Sequence, residues 1–287
     1  MQLMRHNNQS GRSDRQSGFT LLEMVITIVV SSIMAIGIVS FIGDAVSGFI
    51  SAGNRNQLSS AGRTVVDRIA MELHNALPNS IRVTTAAPNG DQCLEFIPFQ
   101  GASSYVNPPF TGTGGDEFEV INFNPALIAG PASGLFAVIY PIDLDAVYED
   151  PIPASGPRAE IDQISDPAPA DGRVTVTLTG THRFSRRSPV DRIYVTESPV
   201  SFCISGNYLF RYQNYGFENT QPQVAGLPAT APDRALISDS ISNAALTAFT
   251  IQEATLRRNA IVSINLNFVD TLDTVRLQHE VQIRNVP

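Results

Sequence analysis

The stretch SGFTLLEMVITIVVSSIMAIGIVSFIGD, Ser17 to Asp44, decides the reading of this chain. From Met24 to Gly43 it runs twenty residues without a charge, and a helix of ~20 residues rises ~30 Å, the depth of a bilayer's hydrocarbon. One acid, Glu23, stands at its start. Ahead of it lies the polar segment MQLMRHNNQSGRSDRQSG, carrying Arg5, Arg12 and Arg15 against Asp14. Basic residues before an apolar run predict a cytoplasmic N-terminus and export of the remainder of the chain. A secretory signal peptide has a shorter apolar core followed by a small-residue cleavage site. Here the small residue, Gly18, precedes the run, so the run is expected to be retained, with any trimming on its cytoplasmic side.

The run GFTLLEMV, Gly18 to Val25, resembles the prepilin signature of type IV pilins and type II secretion pseudopilins. The resemblance implies cleavage between Gly18 and Phe19 by an inner-membrane prepilin peptidase and N-methylation of Phe19. It implies other major and minor pilins and an inner-membrane assembly platform as partners. Glu23 matches the family's acid five residues into the mature chain. An unpaired carboxylate in hydrocarbon costs roughly 2.5 kcal/mol or more, and the positive amine of a neighbouring subunit's Phe19 would supply a partner, which makes Glu23 the candidate assembly residue. Loss of the leader removes three Arg and one Asp and takes the formal side-chain charge from −8 to −10. All 19 basic residues are Arg, and an acidic chain without a concentrated basic face argues against a nucleic-acid partner.

The helix is expected to continue past the membrane edge. Apolar or small residues recur at Phe49, Gly53, Leu58, Ala61, Val65, Ile69, Leu73 and Ala76, the three-to-four spacing of an amphipathic stripe. Pro78 biases Leu77 out of the helix. A helix from Phe19 to Leu77 would be roughly 90 Å long, and Gly37 and Gly43 are where it could loosen. Its second half, RTVVDRIAMELHNALPNSIRV (Arg63 to Val83), is similar to the MshO-type minor pilin-like proteins of mannose-sensitive haemagglutinin (MSHA) pilus operons, and to J-type pseudopilins and PilW-type minor pilins. The ending QIRNVP is similar to the same group. The resemblance runs over residues 18–83 and, more loosely, about 173–287.

The chain divides into five segments: a leader over 1–18, a transmembrane half-helix over 19–43, an amphipathic half-helix over 44–77, a loop-rich α+β segment over 78–172 and an antiparallel sheet over 173–287. The fourth is rich in Gly, Pro, Ala and Asp, with short strand-like runs CLEFIPF and LFAVIYPI between the loops. From Arg173 apolar and polar residues alternate. VTVTLTG places Val174, Val176 and Leu178 on one face; VSFCIS and NYLFRYQ flank Gly206 as a hairpin; VSINLNF and VRLQHEVQIR form a C-terminal hairpin turned through DTLD. One buried and one solvated face mean an antiparallel sheet. The fold class is therefore α+β, a long N-terminal helix packed on an antiparallel β body, the type IV pilin-like arrangement.

Little suggests catalysis. No G-x-S-x-G elbow occurs, and TGTGGDE lacks the lysine and spacing of a phosphate loop. Cys93 and Cys203 are the only cysteines; in an exported chain they are expected to form one disulfide, with two buried thiols as the alternative. Asp143, Asp145, Glu149 and Asp150 invite a calcium reading but lack a glycine-turned binding loop, so a solvated acidic loop is the preferred reading, as it is for Asp116, Glu117 and Glu119. No other cofactor is implied. His74 reads as a surface or packing residue, His279 as a core histidine, and His182 with Arg183, Arg186 and Arg187 as a basic loop. The function expected is a non-catalytic minor pilin-like subunit in MSHA-type pilus assembly or tip initiation, spanning the bacterial inner membrane once with a periplasmic body before joining the pilus. A J-type pseudopilin of a type II secretion system, or a tip adhesin binding glycans through loops from about Ala86 to Asp171, are the alternatives.

Overall fold

Thr20 starts the helix. Its Oγ1 accepts a hydrogen bond from Glu23 N–H at 3.2 Å and its carbonyl accepts from Met24 N–H at 3.1 Å, half of a T-x-x-E capping box. The computed structural model describes residues 18–168, 170–244, 246–253, 259–271 and 273–283. The leader up to Ser17 and the last four residues of QIRNVP lie outside them. Helix α1 spans Leu21–His74, and the chain divides into two compact units, Met1–Gly53 and Asn54–Pro287. In the first, every described side chain from Phe19 to Ile50 is exposed, and α1 is long and apolar enough there to cross a membrane. Gly37 and Gly43 are helical.

In the second unit α1 buries Leu58, Gly62, Val65, Val66, Ile69, Ala70 and Leu73. The stripe differs from the expected one at Ala61, which is exposed while Gly62 is buried, because the close approach is made where there is no side chain. Phe49 and Gly53 are exposed too. The helix ends at His74 rather than Leu77, since Leu77 N–H donates to Ile97 O at 2.8 Å and Ala76 bridges Pro98.

The body contains sixteen strands: β1 (Arg82–Val83), β2 (Gln92–Phe96), β3 (Phe99–Ser104), β4 (Gly115–Ile121), β5 (Gly130–Pro131), β6 (Phe136–Ile139), β7 (Ser155–Gly156), β8 (Arg158–Ile164), β9 (Arg173–Phe184), β10 (Arg192–Thr196), β11 (Val200–Ser205), β12 (Tyr208–Tyr212), β13 (Arg234–Ser238), β14 (Phe249–Gln252), β15 (Ala260–Val269) and β16 (Thr274–Ile283) among the described residues. A short helix α2 (Leu144–Tyr148) lies between β6 and β7. They form three sheets. The first has the order β1-β2-β11-β12-β13 and the third β14-β15-β16, all antiparallel. Both face α1 across one core: Leu94, Phe96, Phe202 and Leu209 from the first and Phe249, Val262, Ile264 and Leu266 from the third pack with Val66, Ile69 and Leu73. Buried Gln92 stitches the sheets together, its Nε2 donating to Phe249 O at 2.8 Å and its Oε1 accepting from Ala248 and Phe249 N–H at 3.0 Å. The β11–β12 hairpin turns at Gly206 with φ +58, the left-handed region glycine enters without strain.

The second sheet runs β3-β10-β6-β8-β9-β4 and returns to its start. Tyr105 bridges Val120 and Val106 N–H donates to Glu119 O at 2.8 Å, which joins β3 to β4. The result is a six-stranded antiparallel barrel with β5 and β7 attached to its rim strands. Alternation along four of the strands fills the inside: Phe118 and Val120 of β4, Ala137 and Ile139 of β6, Val174, Val176 and Leu178 of β9, Ile193 and Val195 of β10.

The architecture is α+β with an antiparallel β body, as the periodicities predicted. The internal division differs from the expected one. β9 and β10 complete the barrel with strands from the loop-rich segment, so no boundary falls at 172/173. LFAVIYPI reads as an isolated apolar run because β6 is buried on both sides, Ala137 and Ile139 inside the barrel and Phe136 and Val138 outward against Leu77, Ile97 and Phe217.

Candidate functional site

The amino-terminal motif is built from local rules. Thr20 ends the irregular chain and caps α1, which places Glu23 in the first helical turn, where the helix dipole favours a negative charge. Phe19 is 77% exposed and Leu21 84%. Glu23 is exposed and meets no side-chain partner among the described residues. The next acid along α1 is Asp44. The structure thus presents Gly18, Phe19 and Glu23 together at one accessible helix end, with the carboxylate at the head of a charge-free apolar stretch and unpartnered by the described residues of its own chain.

Cys93 and Cys203 face each other across the β2–β11 pair and are joined, with Sγ–Sγ 2.04 Å and Cα–Cα 4.1 Å. They lie on the face of the first sheet turned away from α1, covered by Tyr212, Tyr215, Val224 and Leu227. Beside them is a buried polar cluster that no local sequence period marks. Glu95 has no exposed side-chain surface and pairs with Arg82, its cross-strand neighbour; Tyr215 Oη donates to its Oε1 at 2.9 Å and shares a 2.8 Å bond with Ser201 Oγ. Burial raises the Glu95 carboxyl above its ordinary pKa, against the lowering pull of Arg82 and Tyr215. Arg82 also donates to Glu218 O at 2.8 Å and lies 3.6 Å over the Tyr148 ring. Only strand pairing, not spacing, brings Arg82 to Glu95. Arg158 is the second such residue: 2% exposed, it lies 3.4 Å over Phe217, and burial lowers its pKa to about 10. Both cations serve packing between β1–β2, the barrel and the segment after β12.

The acids expected to be a solvated loop do not converge. Asp143 caps α2, accepting from Asp145 N–H at 3.2 Å; Glu119 pairs with Arg173 at 2.8 Å; Asp150 exchanges backbone bonds with the Asn219 side chain at 2.9 Å. Among the described residues no three His, Cys, Asp or Glu side chains gather to hold a metal. Two histidines are corrected. His182 is in β9 rather than a loop and is buried, its Nε2 3.2 Å from Gly156 O and its ring 5.0 Å from Phe184; burial lowers its pKa. His279 shares a face with Val281 but is exposed, because β16 is the edge of its sheet. His74 is exposed in the last turn of α1, as expected. Arg183 and Arg187 are tethered, Arg183 Nε donating to Ser155 Oγ at 3.2 Å and Arg187 lying 4.7 Å over Phe110.

Residues 13–39 match the family model described as the prokaryotic N-terminal methylation motif, the signal of type IV pilin-like proteins, and this match includes Gly18, Phe19 and Glu23. Neither the curated proteins nor the solved structures yield a match to this chain.

Proposed function

We propose that this chain is a non-catalytic minor pilin-like subunit acting in assembly or tip initiation of an MSHA-type IV pilus. The observation that carries the reading is the conjunction at the helix start: a methylation motif, an accessible Gly18–Phe19 bond and an exposed Glu23 heading a membrane-length apolar run with every side chain uncovered. A single subunit leaves that surface to lipid; a bundle of such helices buries it. Prepilin peptidase cuts after Gly18, hydrolysing one amide, and the freed Phe19 amine is methylated and keeps its positive charge. Extracted from the inner membrane, the helix joins a helical array in which Glu23 meets the Phe19 amine of a neighbour. The ion pair offsets the roughly 2.5–3.5 kcal/mol a carboxylate costs in hydrocarbon. The β body faces the periplasm and then the exterior. The MSHA assignment, in preference to a type II secretion pseudopilin, rests on the MELHNALPNSIRV stretch, since the motif itself is common to both.

Glu23→Ala tests the reading. The variant is expected to insert and lose its leader as the parent does, and to be depleted at least tenfold from a sheared pilus fraction measured by mass spectrometry. Incorporation at the parent's level refutes the role of Glu23.

A further inference from the structure

The chain enters the barrel at Pro98 and leaves it at Glu197, and these two residues touch: Glu197 N–H donates to Pro98 O at 3.0 Å. The flanking strands β2 and β11 are neighbours in the first sheet and carry the disulfide. Between them lie the six strands of the barrel, with β5, β7 and α2 attached to it. The cores divide along the same line. All sixteen buried side chains of the barrel core lie between Tyr105 and Val195, while the core around α1 draws no residue from that interval. The two bodies meet in a third, smaller cluster, to which the rest of the chain contributes only Leu77, Ile97 and Phe217 among the described buried residues. Its larger part comes from the barrel segment itself, including Phe136, Val138, Val147 and Tyr148. Polar links across this junction include Asn79 Nδ2 to Pro141 O and Tyr148 Oη to Ser80 O, both at 2.8 Å.

We infer that residues 99–196 are an inserted domain that folds independently of the helix-and-sheet scaffold and is carried by it. The barrel's ends close on each other through Tyr105 and Val120, the scaffold adds to its edge among the described residues only where Phe99 N–H donates to Asn75 O at 2.9 Å, its core needs no scaffold side chain, and about a hundred residues is an ordinary domain size. The ends emerge hydrogen-bonded to each other, so the scaffold needs no more than a tight turn in the barrel's place. On the reading proposed above, assembly then belongs to the scaffold and the barrel is what it presents.

Hydrogen exchange read by mass spectrometry on the full chain in detergent micelles tests the independence without any pilus. Val176→Asp places a charge in the barrel core. It is expected to accelerate exchange on the order of a thousand-fold across β3–β10, the loss of a folded-to-unfolded ratio at the low end for a small domain. Peptides from β2, β11, β12 and β15 should stay within twofold of the parent. Ile264→Asp in the scaffold core is expected to do the reverse. Global loss of protection in both variants overturns the inference. A deletion joining Pro98 to Glu197 through Gly-Gly covers the case in which Val176→Asp does not accumulate: it should retain parental protection over residues 58–73 and β11–β16, and collapse there overturns the inference. Recovery of that deletion variant in the pilus fraction supports the barrel as cargo; its loss from a fraction in which the parent chain is recovered, with the scaffold still protected, overturns the cargo role. Neither outcome bears on the pilus reading itself, which recovery of the parent chain in the same sheared pilus fraction decides.

Discussion

Gly62→Ala opposes two effects of known sign. Glycine in a helix interior costs about 1 kcal/mol relative to alanine, so on propensity alone the substitution stabilises α1. The structure places a Cβ at this position 2.7 Å from Leu277 Cδ1 and 2.8 Å from Phe268 Cδ2 and Cε2. Carbon atoms rest at about 3.5–4.0 Å, so helix or sheet must yield by about 1 Å. Leu277 is half-buried and can turn, but Phe268 is buried, and its residue bridges Ile241, so the ring has little room. Overpacking of this kind costs ~1–3 kcal/mol. The net expectation is destabilisation by up to about 2 kcal/mol, an acceleration of amide exchange over residues 58–73 of up to roughly thirtyfold. Gly53→Ala is the control: its added Cβ meets nothing within 4 Å, and exchange there should slow or stay unchanged. Exchange over 58–73 slowed by Gly62→Ala would show that propensity outweighs contact and that α1 does not lie so close to β15 and β16.

Two further outcomes are expected. Below pH ~6.5 an unfolded histidine takes up a proton that buried His182 resists, so this group's contribution to barrel stability is complete above that pH and is lost as pH falls through the lowered folded pKa; exchange across β9 should quicken between about pH 7.5 and 5.5, His182→Gln should flatten that slope, and an unchanged slope in the variant places the sensitivity elsewhere. Cys93→Ser with Cys203→Ser opens a link spanning 110 residues, which loop entropy values at about 5 kcal/mol for an unstructured loop and about 3 kcal/mol if the barrel holds its own ends together and only about a dozen residues remain free; denaturant unfolding of the scaffold distinguishes the two values, and a loss near 5 kcal/mol speaks against a preformed barrel.

What could be read from the chain divides by the range of the interactions involved. The membrane stretch, the amphipathic stripe and the C-terminal hairpin obey local periods, and Val262, Ile264, Leu266 and Phe268 fall inward as alternation requires. The methylation motif is local too, which is why Gly18, Phe19 and Glu23 stand out without a structure. The barrel is invisible to the same rules. Its pairings join residues far apart, such as Gly115 with His182, and β6 loses its alternation because both faces are covered. Arg82 and Glu95 are thirteen residues apart and meet only because β1 folds back on β2. The arginines around His182 read as a basic loop, yet β9 carries strand order through GTHRF to Phe184. An apolar stripe selects Ala61 over Gly62 because side-chain periodicity cannot show where a helix approaches without a side chain.

The same distances bear on how the scaffold forms. β2 and β11 are central neighbours in the first sheet yet stand about a hundred residues apart in the chain, a pairing whose closure entropy grows as (3/2)RT ln n and whose non-local character slows folding. Every other neighbour relation in the first sheet joins segments much nearer in the chain: β1 with β2, β11 with β12, β12 with β13. One long-range step therefore separates two local fragments from a complete sheet. A barrel that closes by itself delivers Pro98 and Glu197 side by side and turns that step into a local one. The disulfide then forms between cysteines already opposed, and the Glu95–Arg82–Tyr215 cluster is buried once the segment after β12 folds over them. A barrel that forms first therefore implies the order barrel, β2–β11 pairing, then oxidation and covering, with α1 docking on a sheet whose inner face of Leu94, Phe96 and Phe202 exists only after the second step.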